Sequence, residues 1–252
     1  MRFGGVEFYV SKGSHDKTLK MLNESDLGRG EGVNTPYLLP SEMWGLARVL
    51  SQTFGRLNEI AASHSSWEIR GAVLPEAPLT ATTSIAKKYS RNSLPFVEIE
   101  HETRDCDGRT VLRGVDELLL LHDVTHAFYA EPKREKAQTV VPANRRRRTY
   151  FRHQWDEEIW RNNIHTDEYA RRFGYERGLP EFFIYMDWVF AELLKKEGQK
   201  TYEGTTIQLR RVLPLYENDI VDVVLDSTPQ GTTVRFLKEG HERLVADASL
   251  KQ

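Results

Sequence analysis

Apolar residues along this chain follow two different periods, and the change from one to the other marks its elements. Two runs are apolar almost all round. One, over 41–50, follows Leu39-Pro40; the other, over 181–194, follows Leu179-Pro180. Proline in a first turn suits a helix start, because its missing N–H has no intrahelical partner there anyway. A helix apolar on every side is a buried one. After each run come segments rich in β-branched and alternating residues. They cover 66–74, 79–89, 96–104 and 110–121 in the first half, and 205–213, 220–227, 232–238 and 242–250 in the second. Asp107-Gly108 predicts a hairpin, and Gln230-Gly231 and Glu239-Gly240 predict turns.

The same order of parts therefore occurs twice. Leu39-Pro40 recurs 140 residues later as Leu179-Pro180, and Val73-Leu74-Pro75 recurs 139 residues later as Val212-Leu213-Pro214. Arg70 and Arg210 precede the second pair. Chance repetition of common dipeptides is the alternative to duplication. One buried helix wrapped by antiparallel strands, twice, is an α+β plan. The halves span 1–122 and 150–252. Between them 123–149 is polar and aperiodic, and reads as a linker. It ends near Arg145-Arg146-Arg147-Arg148, expected as a solvated charge run, with contact to ligand phosphates as the second reading.

Composition narrows the classes. In 252 residues, 39% are hydrophobic and 10% aromatic, enough for a packed core. Lys and Arg total 35 against 37 Asp and Glu, so no general attraction to nucleic acid or anionic membrane is expected. The single cysteine, Cys106, excludes an internal disulfide framework and fits a reducing cytoplasm. No signal-like apolar run follows Met1, and no stretch approaches the roughly 20 residues that span a bilayer. The longest, 118–121, reads as a buried strand.

Chemistry concentrates in Asn162-Asn163-Ile164-His165-Thr166-Asp167, followed by Tyr169-Ala170 and Gly174-Tyr175. The His165 imidazole can trade protons near pH 7, just ahead of the second apolar helix. A structural histidine at a turn is the alternative. His64, His101, His122, His126, His153 and His241 show no ligand spacing, so no metal is expected.

Asn162, Ile164, His165 and Asp167, with the residues after them, resemble the MaoC-like hydratases and dehydratases in their double hot-dog form. That resemblance implies two antiparallel sheets, each wrapped round a central helix. It implies an acyl-thioester substrate, with coenzyme A or phosphopantetheine as part of that substrate and no other cofactor. The assemblies it allows are a homodimer or association with another hot-dog subunit. His165 becomes the general base for hydration or dehydration. The first half, lacking a histidine motif, supplies most of the acyl pocket.

Two departures stand out. Asn163 replaces the family's proline, and Trp160 stands where the family places a catalytic aspartate, five residues before the histidine. Asp156 is the first candidate for the missing partner and Glu181 the second. The family's Ala-His-Gly is Pro180-Glu181-Phe182 here. N–H groups near Glu181, Phe182 and Phe183 are candidates for stabilising charge on the thioester oxygen. Substrate contacts are expected from Asn162, Asn163, Asp167, Phe182, Phe183 and Asp187. Each has a structural alternative: loop orientation for Asn162, helix capping for Asp167, core packing for the rings, and a paired or protonated buried carboxylate for Asp187. Glu42 poses the same question in the first half. A thioesterase using a helix carboxylate, and a non-catalytic thioester-binding subunit, remain open as other classes.

Overall fold

The computed structural model describes residues 2–28, 32–46, 49, 60–121, 124, 143–149 and 163–250. Its frame is a 10-stranded sheet in which every neighbouring pair is antiparallel. In chain order the strands are β1 (Arg2–Phe8), β2 (Ile60–Ile69), β3 (Leu79–Arg91), β4 (Leu94–Asp105), β5 (Thr110–Leu120), β6 (Arg145–Arg148), β7 (Thr205–Arg211), β8 (Ile220–Thr228), β9 (Gly231–Lys238) and β10 (His241–Leu250). Across the sheet they run β1-β3-β4-β5-β2-β7-β10-β9-β8-β6. Read inward from either edge, the two halves follow one pattern. The expected sheets thus join edge to edge through β2 and β7, from His64 opposite Arg210 to Ile69 opposite Thr205.

Among the described residues the α-helices with defined bounds are α1 (Lys12–Ser25), α2 (Pro40–Met43), α3 (Asp167–Arg172) and α4 (Ile184–Glu197). α4 is the long apolar helix, and Ile184 through Leu193 are all buried. Its core joins Trp188, Val189 and Phe190 to inward residues of both halves, such as Ile69, Leu112, Ile207 and Phe236. α2 and α4 meet directly: the Ser41 hydroxyl donates to Asp187 Oδ2 at 2.5 Å, and the Ser41 N–H to Oδ1 at 3.3 Å. The helices that follow the two Leu-Pro pairs therefore pack on one another. Glu42, also buried, accepts the Thr18 hydroxyl of α1.

The hairpin at Asp107-Gly108 is present. Gly108 takes φ 78°, and Asp105 Oδ1 accepts the N–H groups of Asp107 and Arg109. The helix expected over 41–50 ends at Met43, with Trp44 and Gly45 outside it, and three further boundaries differ from expectation. The strand expected over 66–74 is Ile60–Ile69. α4 starts at Ile184 and not at 181, because the chain first makes a turn in which the Ile184 and Tyr185 N–H groups bond back to Glu181 and Phe182 carbonyls.

The third is the arginine run. It is strand β6, an edge strand on β8, and only its outward residues Arg146 and Arg148 are the solvated charge expected. Strand periodicity sends alternate side chains to opposite faces. Arg145 and Arg147 turn inward: Arg145 reaches Asp26 at 2.8 Å and Glu192 at 2.9 Å, and Arg147, 1% exposed, reaches Glu192 at 2.8 Å. Arg146 turns out to Asp222 at 2.7 Å. Burial alone would raise the Asp26 carboxyl, but the Gly28 N–H and the charges of Arg147, Arg145 and Lys195 hold it below its usual range. These ion pairs tie α1, β6 and α4 together.

Candidate active site

His165 ends a 3-10 turn, Asn163–His165, and is half-buried. The next residue, Thr166, caps α3 by accepting the Tyr169 N–H, a role expected of Asp167. Asp167 instead braces the loop. Its Oδ1 accepts the Gly178 N–H at 2.8 Å and its Oδ2 meets Arg171 at 3.0 Å. The Leu179 N–H closes the same junction on the Ile164 carbonyl at 3.0 Å.

The histidine ring is oriented by this junction. Its Nδ1 lies against the Leu179 carbonyl oxygen. A carbonyl only accepts, so Nδ1 carries the proton and Nε2 carries the lone pair of the neutral ring. Gly178 permits the approach: a Cβ there would stand 2.1 Å from the His165 carbonyl oxygen and 2.6 Å from its carbon. Neither is a flexible atom.

The loop lies across one face of the sheet. Neighbouring residues of a strand point to opposite faces, and Leu118 joins the helix-side core while Leu119 joins a second cluster with Ile164, Phe173, Tyr175 and Leu179. Beyond Leu179 the chain crosses to the helix side. Phe182 is buried, and Phe183, half-buried, stacks on Trp67 of β2 with centroids 5.4 Å apart. Among the described residues the N–H groups of Phe182 and Phe183 take no backbone acceptor. Glu181, half-buried, stands just before them. Asp187 is fully buried and bound to Ser41, which is the paired alternative; it holds α2 to α4. Asn163 opens the 3-10 turn. Asp156, Trp160 and Asn162 lie outside the described residues.

Two groupings were not read from the sequence. The first is a cleft of about 180 Å³ at the join of the halves, with Arg211 and Tyr175 on its wall. Burial pushes the Tyr175 phenol up, and the nearby Arg211 charge opposes that rise. The second is a buried polar cluster in the first half. Asp116 Oδ1 accepts from Ser65 Oγ at 2.5 Å and Trp67 Nε1 at 3.1 Å, while Oδ2 lies 3.0 Å from His101 Nε2. That last contact is at ion-pair distance but off-line for a hydrogen bond. Gly114 makes room, since a Cβ there would stand 2.5 Å from His101 Nε2. Among the described residues no group of three His, Cys, Asp or Glu side chains is arranged to hold a metal, and no helix is long and apolar enough to cross a membrane.

No protein-family model matches the chain, and no curated protein matches it in sequence. Solved structures do match its fold. HtdX from Mycobacterium tuberculosis superposes with a TM-score of 0.73 at 12% identity, over 99% of this chain and 100% of that one. A MaoC-like dehydratase from Phytophthora capsici gives 0.64 at 14% identity, over 99% and 96%. An acyl-ACP thioesterase from Bacteroides thetaiotaomicron gives 0.59 at 10% identity, over 99% and 98%. The chain has the double hot-dog fold of the MaoC-like dehydratases.

Proposed function

We infer that the protein is a member of the MaoC-like family and adds water to 2-enoyl thioesters, or removes it from 3-hydroxyacyl thioesters. The observation that carries this reading is the His165 ring. Its Nδ1 is held on the Leu179 carbonyl, so Nε2 is the basic nitrogen. In the hydration direction Nε2 takes a proton from water as its oxygen adds to C3. Negative charge then gathers on the thioester oxygen. The N–H groups of Phe182 and Phe183 suit that charge. Protonation at C2 completes the addition. Glu181 and Asp156 are the candidates for sharing these proton transfers, each worth about 10²–10⁴-fold in rate. The chemistry requires no group beyond the coenzyme A or phosphopantetheine of the substrate.

The solved thioesterase neighbours support a second reading, hydrolysis of the thioester with a carboxylate such as Glu181. One assay separates the two. Enoyl-thioester absorbance and free thiol are followed together on crotonyl-CoA and on branched and aromatic analogues. Loss of conjugation without thiol supports hydration, and thiol release supports hydrolysis. His165→Ala is expected to lower the hydration rate by about 10²-fold or more. An unchanged rate overturns the assignment of the base.

A further inference from the structure

The cleft at the join of the halves borders the residues of the reaction above, through Arg211 on Phe182 and Tyr175 beside Ile164, but no role in that reaction is assigned to it. Its walls are apolar: Ala61, Phe96 and Leu119 come from the first half and Leu213 from the second. Three polar side chains interrupt them, Ser63, Arg211 and Tyr175, and the Ser63 hydroxyl already donates to Glu117. Arg211 is the last residue of β7, and its guanidinium carbon lies 5.2 Å from the centre of the Phe182 ring. It is half-buried. Two other cations of this half share an acidic partner: Arg177 and Lys238 both reach Asp219, at 3.2 and 2.8 Å. Arg211 has no carboxylate partner among the described residues.

An uncompensated charge beside apolar walls is costly, and an incoming anion removes that cost. The guanidinium is a planar fork of donors that matches a carboxylate with two parallel hydrogen bonds. Tyr175 is 6% exposed and, with its phenol pushed up by burial, stays protonated as a donor beside the fork. Apart from Ser63, whose hydroxyl is engaged by Glu117, the rest of the wall offers hydrophobic contact.

We propose that this cleft binds a carboxylate carried on an apolar chain. The carboxylate sits on the Arg211 fork and takes the Tyr175 hydroxyl as a further donor. The chain lies along Ala61, Phe96 and Leu119. The site does not depend on the hydratase reading, because the ligand binds whether or not it is turned over.

Titration calorimetry of the full chain with four eight-carbon probes tests this: octanoate, octan-1-ol, octylamine and octyl phosphate. Octanoate is expected to bind about tenfold or more tighter than the alcohol or the amine, the gain of a charge-assisted pair. Arg211→Gln should bring octanoate down to the level of octanol and leave octanol unchanged. The wild-type series needs no variant, so a misfolded Arg211→Gln protein does not rescue the idea. Equal affinity for octanoate and octanol, or no octanoate binding, overturns it. So does a preference for octanoate that survives Arg211→Gln. Octyl phosphate binding well above octanoate would assign the fork to phosphate and overturn the carboxylate.

Discussion

Gly178→Ala is the sharpest test of how the His165 loop is held. The new Cβ would stand 2.1 Å from the His165 carbonyl oxygen and 2.6 Å from its carbon. Carbon and oxygen that are not bonded stay about 3.3 Å apart or more. The two segments must therefore separate by roughly 1 Å. Three hydrogen bonds cross this junction: Gly178 N–H to Asp167 at 2.8 Å, Leu179 N–H to Ile164 at 3.0 Å, and His165 Nδ1–H to Leu179. Neutral bonds contribute about 1 kcal/mol each and those to a charged group about 1.5–3, so their joint loss costs roughly 3–5 kcal/mol. In a chain of this size that lowers the melting temperature by about 6–20 °C. Displacing His165 by about 1 Å should cost on the order of 10²-fold in turnover. Thermal unfolding and the hydration assay read the two effects. Gly108→Ala is the control: its φ is 78° but nothing lies within 4 Å of the added carbon. It should cost about 1 kcal/mol and leave the rate alone. A Gly178→Ala protein that melts with the wild type and keeps most of its rate would show that this junction does not position the histidine.

Other measurements probe different parts of the molecule. Asp116→Ala strands Ser65, Trp67 and His101 in the first-half core, and should cost about 3–5 kcal/mol in denaturant unfolding; a loss under 1 kcal/mol would show that the cluster is not coupled to folding. Tyr202 is buried, and burial pushes its phenol up to about 12. The folded chain thus holds that proton more tightly than the unfolded one. The stability linked to it is whole below about pH 10 and lost as the pH rises through about 12. Tyr202→Phe should flatten the fall in denaturation midpoint over that range, and an unchanged slope would remove Tyr202 as its cause.

Much of the sheet was legible because its signals are local. β3, β4, β5 and β7 to β10 alternate and end at turns such as Asp107-Gly108 and Glu239-Gly240. β2 was misplaced because Ile60-Ala-Ala-Ser-His-Ser is small and polar; this strand lies at the centre of the sheet, between β5 and β7. α1 was missed for a related reason. Its buried positions, His15, Thr18, Leu22 and Ser25, have helical spacing, but three of the four are polar. No apolar stripe marks them, because the three polar ones are held in part by bonds to other segments: His15 to the Thr35 carbonyl, Thr18 to Glu42 and Ser25 from Arg147. The arginine run misled because nothing local shows that Asp26 and Glu192 will stand on its inner side. At the site, His165 was visible in the motif. Gly178, Tyr175 and Arg211 acquire meaning only from what the fold sets against them.

The pairing of β2 with β7 carries a consequence for how such a chain can arise. Either half alone would end in a bare strand edge bearing Trp67 and Ile69, or Ile207 and Leu209, with its ladder of N–H and C=O groups unpaired. Such an edge recruits another strand. A single half would therefore live as a pair of like copies or aggregate. Joining two copies in one chain makes that pairing intramolecular and independent of concentration. It also frees the copies to become unlike: the histidine loop stands in one, and the buried Asp116 cluster within the strands of the other.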